Sequence, residues 1–174
     1  MLLDGYWKTE LKRIRRSMRF WSGFRISIFD DYVEHKINQG FLYSAVIIRK
    51  ISEDEKDAEK TCEKNNLPMP RLPVLKINVL LKQYNHINED KFFMLSRVYL
   101  QDYDMNNEIV KSESLYNVCN QIIHSYIWGL VYLNGKHVCG ALMASDRFKD
   151  TGVFYLTINE WTDVIQKVIE EAAI

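Results

Sequence analysis

The dipeptide Asn134-Gly135 constrains the fold of this chain more than any other sequence feature. It separates two largely apolar runs, Trp128–Leu133 and His137–Ala144. A type I′ turn needs positive φ at both central residues, which asparagine and glycine tolerate, so the pattern predicts a β-hairpin. A polar loop, Ser145–Gly152, and a further apolar run, Val153–Ile158, extend the hairpin to a three-stranded antiparallel meander.

A helix is predicted directly after the third strand. Thr157 and Glu160 have the spacing of a capping box, in which each side chain satisfies a backbone N–H group at the start of a helix. The apolar residues that follow recur at the spacing of one helical face, which should cover one face of the sheet. They are Trp161, Val164, Ile165, Val168 and Ile169.

Two long helices are predicted near the N-terminus. The first spans residues 4–21, where apolar residues recur every three or four positions at Trp7, Leu11, Ile14, Met18 and Trp21. The second spans residues 26–51 and contains Gly40, which marks either a close helix contact or a kink because glycine is unfavourable inside helices.

The pattern after residue 51 predicts a short helix and then a break. Ser52 with Glu55 has capping-box spacing and indicates a separate surface helix over residues 53–64. Residues 65–73 should form an extended connection, because a proline disfavours helical backbone at the residue before it. The prolines are Pro68, Pro70 and Pro73.

The apolar pattern between residues 74 and 126 is ambiguous in its first part and clearly helical in its last part. Residues 74–84 and 92–100 fit either a helix or a strand, and we favour helix. Ser112 or Ser114 should then cap a helix that runs through residue 126.

Length and composition indicate an α+β protein of one domain. The 174 residues include 47% apolar residues, and the 23 basic residues balance the 23 acidic ones, which argues against disorder. We expect an N-terminal helical bundle over residues 1–126, followed by the three-stranded antiparallel meander and the C-terminal amphipathic helix over residues 127–174.

Several function classes lack their sequence signatures. No apolar run approaches the roughly 20 residues that cross a bilayer, and no signal peptide is apparent, so we expect no membrane contact and a cytoplasmic location. The three widely spaced cysteines also fit a reducing compartment. Metal-ligand spacings and glycine-rich phosphate loops are missing, so we expect neither a metal nor a cofactor.

The first predicted helix carries a basic face that is a candidate binding surface. Such a face can contact RNA phosphates, although a charged helix face is more often simply solvated. The candidate residues are Lys12, Arg13, Arg16 and Arg19.

The predicted helix before the hairpin carries the one constellation suited to chemistry. Asn117, Asn120 and His124 are spaced by three and four residues, which places them on one helical face. Histidine suits proton transfer near neutral pH, and an amide beside it can orient the ring. The structural alternative is that these polar groups satisfy backbone at the helix end.

The stretch Cys119–Tyr126 resembles the signature helix of HEPN domains, which are all-helical modules that include many ribonucleases. Asn120, His124 and Tyr126 match the polar, histidine and aromatic positions of that motif, which implies a metal-independent ribonuclease using His124. The motif's arginine, which the resemblance implies would stabilise phosphate charge, is replaced by Cys119.

Another arginine, such as Arg49 or Arg97, would have to approach from elsewhere in the chain. The chain also resembles a group of short bacterial proteins in the stretches 48–50, 119–126 and 145–147, a likeness that implies no activity. In the last stretch, Asp146 and Arg147 look like turn formers or an exposed pair.

Two functional hypotheses follow. The first is a non-enzymatic module that binds a protein partner or a second copy of itself, or RNA, because a complete catalytic set is not recognisable. The alternative is the HEPN-like ribonuclease, with His124 as the proton-transfer residue and Asn120 as its orienting partner. An arginine facing His124 across a groove would favour the alternative.

Overall fold

The computed structural model describes residues 5–24, 31–87, 103–133 and 137–171. It combines helices with one antiparallel sheet, which confirms the α+β class. The described helices are α1 (Gly5–Ser22), α2 (Asp31–Lys64), α3 (Leu115–Ile123) and α4 (Ile158–Glu171), and the described strands are β1 (Asn78–Asn85), β2 (Ile109–Ser114), β3 (Ser125–Leu133), β4 (His137–Ser145) and β5 (Gly152–Thr157).

The strands form one antiparallel sheet in the order β2-β1-β5-β4-β3. The last three strands are those predicted from the hairpin pattern, and they pair in sequence. The prediction of a three-stranded sheet is nevertheless wrong, because β1 pairs with the free edge of β5 and β2 extends the sheet beyond it. Residues 134–136, which include the predicted Asn-Gly turn, lie outside the described residues.

Strand β1 corrects the helix favoured for residues 74–84. Val79, Leu81 and Gln83 are buried, whereas Leu80 is exposed, which is the two-residue alternation of a strand. Pairing with β5 on one side and β2 on the other supplies the partners of its backbone groups. Residues 92–100, the other ambiguous segment, lie outside the described residues.

Helix α2 is continuous where two helices were predicted. Ser52 is fully buried within α2, and its hydroxyl donates to the carbonyl of Ile48 at 3.0 Å, so it does not cap a new helix. Glu55 instead accepts hydrogen bonds from the backbone N–H groups of Val74 and Leu75. The helix ends at Lys64, and the predicted break follows as a segment without helix or strand that leads to β1.

The N-terminal helices do not form a separate bundle, because all four described helices share one hydrophobic core with the sheet. Helices α1 and α2 approach closely at Gly40, where a Cβ atom would lie 2.4 Å from Cγ of Met18. Gly40 therefore marks a helix contact. Helix α4 is anchored by Trp161, whose indole N–H donates to the buried hydroxyl of Ser44 at 2.9 Å.

Capping residues define where α3 and α4 begin. The Thr157–Glu160 capping box is confirmed: Thr157 N donates to Glu160 Oε2 at 2.9 Å, and Glu160 N donates to Thr157 Oγ1 at 3.1 Å. Ser114 caps α3, which ends three residues earlier than predicted because β3 begins at Ser125. Tyr126 therefore lies on a strand.

The residues that the structure describes contain neither a membrane span nor a metal-binding cluster. No helix there combines the length and apolar content that a bilayer crossing requires. Within the same ranges, no cluster of three or more histidine, cysteine, aspartate or glutamate side chains is placed to hold a metal ion.

Candidate functional site

Helix α3 separates an apolar face from a polar one. Leu115, Val118 and Ile122 are buried in the core. The opposite face carries Asn117, Asn120, Gln121 and His124, as the spacing predicts. This polar face forms one wall of an open groove.

An arginine from α2 reaches this polar face. Nη1 of Arg49 lies 2.9 Å from Nε2 of His124, although the two residues are 75 positions apart in the sequence. Because a guanidinium can only donate, Nε2 is the acceptor in this contact. Arg49 Nε donates to Glu53 Oε1 at 2.9 Å, which fixes the guanidinium from the other side.

The turn between β4 and β5 also lines this groove. Gln121 Oε1 accepts a hydrogen bond from the backbone N–H of Ser145 at 2.8 Å, which ties this turn to α3. Arg147 and Asp146 follow in the turn, and the Asp146 carboxylate pairs with Lys149. Two residues interpreted as turn formers thus also line the groove.

We name this feature the α3 groove. Its volume is about 640 Å³, within the range of small-molecule and cofactor sites. Two guanidinium groups, an imidazole, three side-chain amides and two carboxylates face an apolar surface. The lining residues are Arg49, Leu81, Glu113, Asn117, Val118, Asn120, Gln121, His124, Ser145, Asp146, Arg147, Phe148 and Phe154.

The predicted site residues of α3 meet in this groove. His124 is exposed, and Asn117 and Asn120 line the same wall. The Oδ1 atom of Asn120 is buried without a hydrogen-bond partner in the described part of the chain. Tyr126 is not a lining residue; it is 43% exposed, and the ammonium of Lys149 lies 4.0 Å from its ring centre.

The basic residues of α1 do not join the α3 groove. Arg19 Nε donates to Thr162 Oγ1 at 3.1 Å, and its Nη2 lies 2.6 Å from Asp163 Oδ1, so this arginine binds α4. Arg13 pairs with Glu10 on α1 itself. Lys12 and Arg16 are exposed.

Cys119, which stands where the HEPN motif has arginine, faces the core. It is fully buried, and this burial raises the pKa of its thiol. The guanidinium of Arg49 therefore meets His124 by a different route, from α2. Arg49 is one of the two arginines that the sequence suggested could approach His124 in place of the motif's arginine. The other, Arg97, lies outside the described residues.

Glu113 and Arg147 were missed as groove residues. Glu113 lies at the end of β2, just before the cap of α3, and no periodicity or motif distinguishes it. Their shared position in the groove depends on the sheet order, which places the β4–β5 turn beside α3.

Comparisons with protein-family models, with curated proteins and with solved structures found no match for this chain. The resemblance to HEPN domains is carried by residues 119–126 alone and stays a prediction.

Proposed function

We propose that this protein binds single-stranded RNA through the α3 groove. The observation that carries the proposal is the Arg49–His124 contact at the wall of an open groove. A guanidinium matches the geometry of a phosphate, and the neighbouring imidazole and amides offer donors and acceptors to ribose and base. Single-stranded RNA is favoured because the groove has the volume of a small ligand, which suits separate nucleotides.

The fixed position of Arg49 supports this role. Its Nε and Nη1 atoms are engaged with Glu53 and His124, so the side chain is already ordered before a ligand arrives. The described contacts leave Nη2 for a phosphate oxygen. A preordered cation binds with less loss of conformational freedom, which strengthens binding.

The proposal is tested by fluorescence anisotropy with a labelled single-stranded RNA at fixed salt concentration. We expect Arg49→Ala to weaken binding about tenfold or more, the usual effect of losing a hydrogen bond to a charged group. Arg13→Ala is a matched control, because Arg13 also pairs with a glutamate on its own helix. Equal losses in both variants would move RNA binding away from the groove, and absence of binding by the wild type would refute the proposal.

Cleavage of the bound RNA is a second candidate function. Nε2 of His124 accepts a hydrogen bond from Arg49 in this structure, so its lone pair becomes available only when Arg49 turns to the phosphate. Nε2 then takes the proton of a ribose 2′-hydroxyl, whose oxygen attacks phosphorus. The bond to the 5′-oxygen breaks, that oxygen takes the proton from His124, and a cyclic phosphate remains. Arg49, beside the ring, would stabilise the added negative charge on the phosphate.

This candidate predicts cleavage that persists in a chelator. His124→Ala should lower its rate at least about a hundredfold, as expected for loss of a general base, while binding changes less. His35→Ala is the control, because His35 is exposed on α2 outside the groove. RNA binding without any cleavage by the wild type would eliminate the enzyme and retain the binding module.

A protein partner or a second copy of the chain is also part of our proposal, at a different surface. Phe20, Phe24 and Tyr32 are each at least 43% exposed around the half-buried Trp21. Light scattering of the purified chain tests self-association, and a monomer at all concentrations would exclude it. We place the protein in the cytoplasm, where its cysteines, all free thiols, would stay reduced.

A further inference from the structure

The α3 groove has chemically different ends. His124 and Arg49 form a cationic contact near the C-terminal end of α3, whereas Glu113 and Asn117 lie at its N-terminal end. Asn117 and His124 are separated by seven residues, or about 10 Å of helix. A purine nucleotide has a comparable length from its phosphate to the outer edge of its base.

The groove also offers an aromatic ring to a base. Leu81, Val118 and Phe154 are almost fully buried behind the lining. The accessible ring is that of the half-buried Phe148, which stacks on Phe154 with centres 4.4 Å apart. Nucleobases bind favourably to aromatic and apolar surfaces of this kind. The groove thus combines a phosphate-binding end with a surface for a ring.

Phosphate binding does not explain why Glu113 lies in the groove, because a carboxylate repels phosphates. Asp146, the other groove carboxylate, is paired with Lys149. Glu113 has no ion pair among the described residues, and its Oε2 receives only a long contact from Asn117 Nδ2 at 3.4 Å. Its oxygens can therefore accept hydrogen bonds from a ligand.

We infer that the α3 groove selects a guanosine of the RNA, with Glu113 accepting hydrogen bonds from the base. Guanine presents two adjacent donors, its ring N1–H and its 2-amino group, which match the two oxygens of a carboxylate. Uracil presents one donor between two acceptors, and adenine and cytosine place an acceptor beside their amino group, so each would bring an acceptor against the carboxylate. This inference rests on the proposed RNA binding.

The test compares the binding of short RNAs by the full chain. The probes are hexauridylate, the same RNA with one guanosine, and the same RNA with inosine, which lacks the 2-amino group. We expect guanosine to strengthen binding about tenfold and inosine to have a smaller effect, since it forms one of the two charged hydrogen bonds. Free guanosine monophosphate, measured in parallel, shows whether the nucleotide alone suffices or the RNA strand is needed.

Glu113→Gln should abolish the guanosine preference, so that its affinities for hexauridylate and for the guanosine-containing RNA become equal within about twofold. Glu63→Gln, an exposed glutamate of α2 outside the groove, should preserve the preference. Glu113→Asp keeps the charge but retracts it, so it should weaken the preference while preserving the thermal stability. Comparing Glu113→Asp with Glu113→Gln therefore distinguishes a role of Glu113 in base recognition from a role in stabilising the N-terminus of α3.

The outcomes distinguish the two proposals. If none of the RNAs binds, RNA binding itself fails and the guanosine preference fails with it. If all RNAs bind equally, or if the preference survives in Glu113→Gln, the role of Glu113 is wrong while RNA binding stands.

Discussion

The α3 groove and the basic face of α1 both contain arginines, but they use them differently. In the groove, Arg49 from α2 and Arg147 from the β4–β5 turn line one open space with His124. On α1, Arg19 is bound to α4 and Arg13 is paired within its own helix. Two arginines from distant segments thus line one groove, whereas two of the four basic residues of α1 are held by carboxylates of α1 and α4.

The difference lies in where the guanidinium groups are placed. Arg19 and Arg49 each have Nε and one Nη engaged by neighbouring side chains, but only Arg49 lines the α3 groove. Convergence on one concave surface lets several groups act on the same ligand. The following variants test this contrast, from the largest expected effect to the smallest.

Cys119→Arg would place an arginine where the HEPN motif has one. We expect it to lower the free energy of unfolding by more than about 3 kcal/mol, because Cys119 is fully buried and a charge there would lack a partner. Urea denaturation measures this loss, with Cys119→Ala as the milder control. A stable Cys119→Arg protein with stronger RNA cleavage would show that α3 can turn its Cys119 side toward the groove.

Arg19→Ala should act on stability and spare RNA binding. We expect a loss of about 1 kcal/mol in the free energy of unfolding, because a partly buried hydrogen bond to Thr162 disappears. Arg49→Ala should weaken RNA binding and leave the free energy of unfolding nearly unchanged, because its pair with Glu53 is half-exposed and contributes little to folding. Denaturation and RNA anisotropy measured on both variants would show these opposite effects on stability and binding. A loss of RNA affinity in Arg19→Ala would contradict the prediction.

Replacing Lys12 and Arg16 together by alanine should have the smallest effect. Both side chains are exposed, so the free energy of unfolding should change by no more than about 0.5 kcal/mol. RNA affinity should fall less than about twofold, through weakened long-range attraction only. A tenfold fall in RNA affinity would indicate that the basic face of α1 is the RNA-binding surface.

The interpretation of residues 74–84 and of α2 shows where local sequence patterns fail. Residues 78–85 alternate like a strand, but only pairing with β2 and β5 makes that alternation decisive. Ser52 and Glu55 have the spacing of a cap, yet both are used by other contacts within and beside α2. Short motifs describe what a segment can do in isolation, and packing selects among these options.

The sequence by itself determined the elements whose burial repeats along the chain: the helix of α1, the hairpin strands, the Thr157–Glu160 cap of α4 and the polar face of α3. Only the tertiary structure decided that Arg49 meets His124 and that Glu113 and Arg147 line the same groove. The physical reason is that periodic burial acts over a few neighbouring residues and leaves a local pattern. Contacts between segments distant in sequence depend on how the whole sheet and its helices pack.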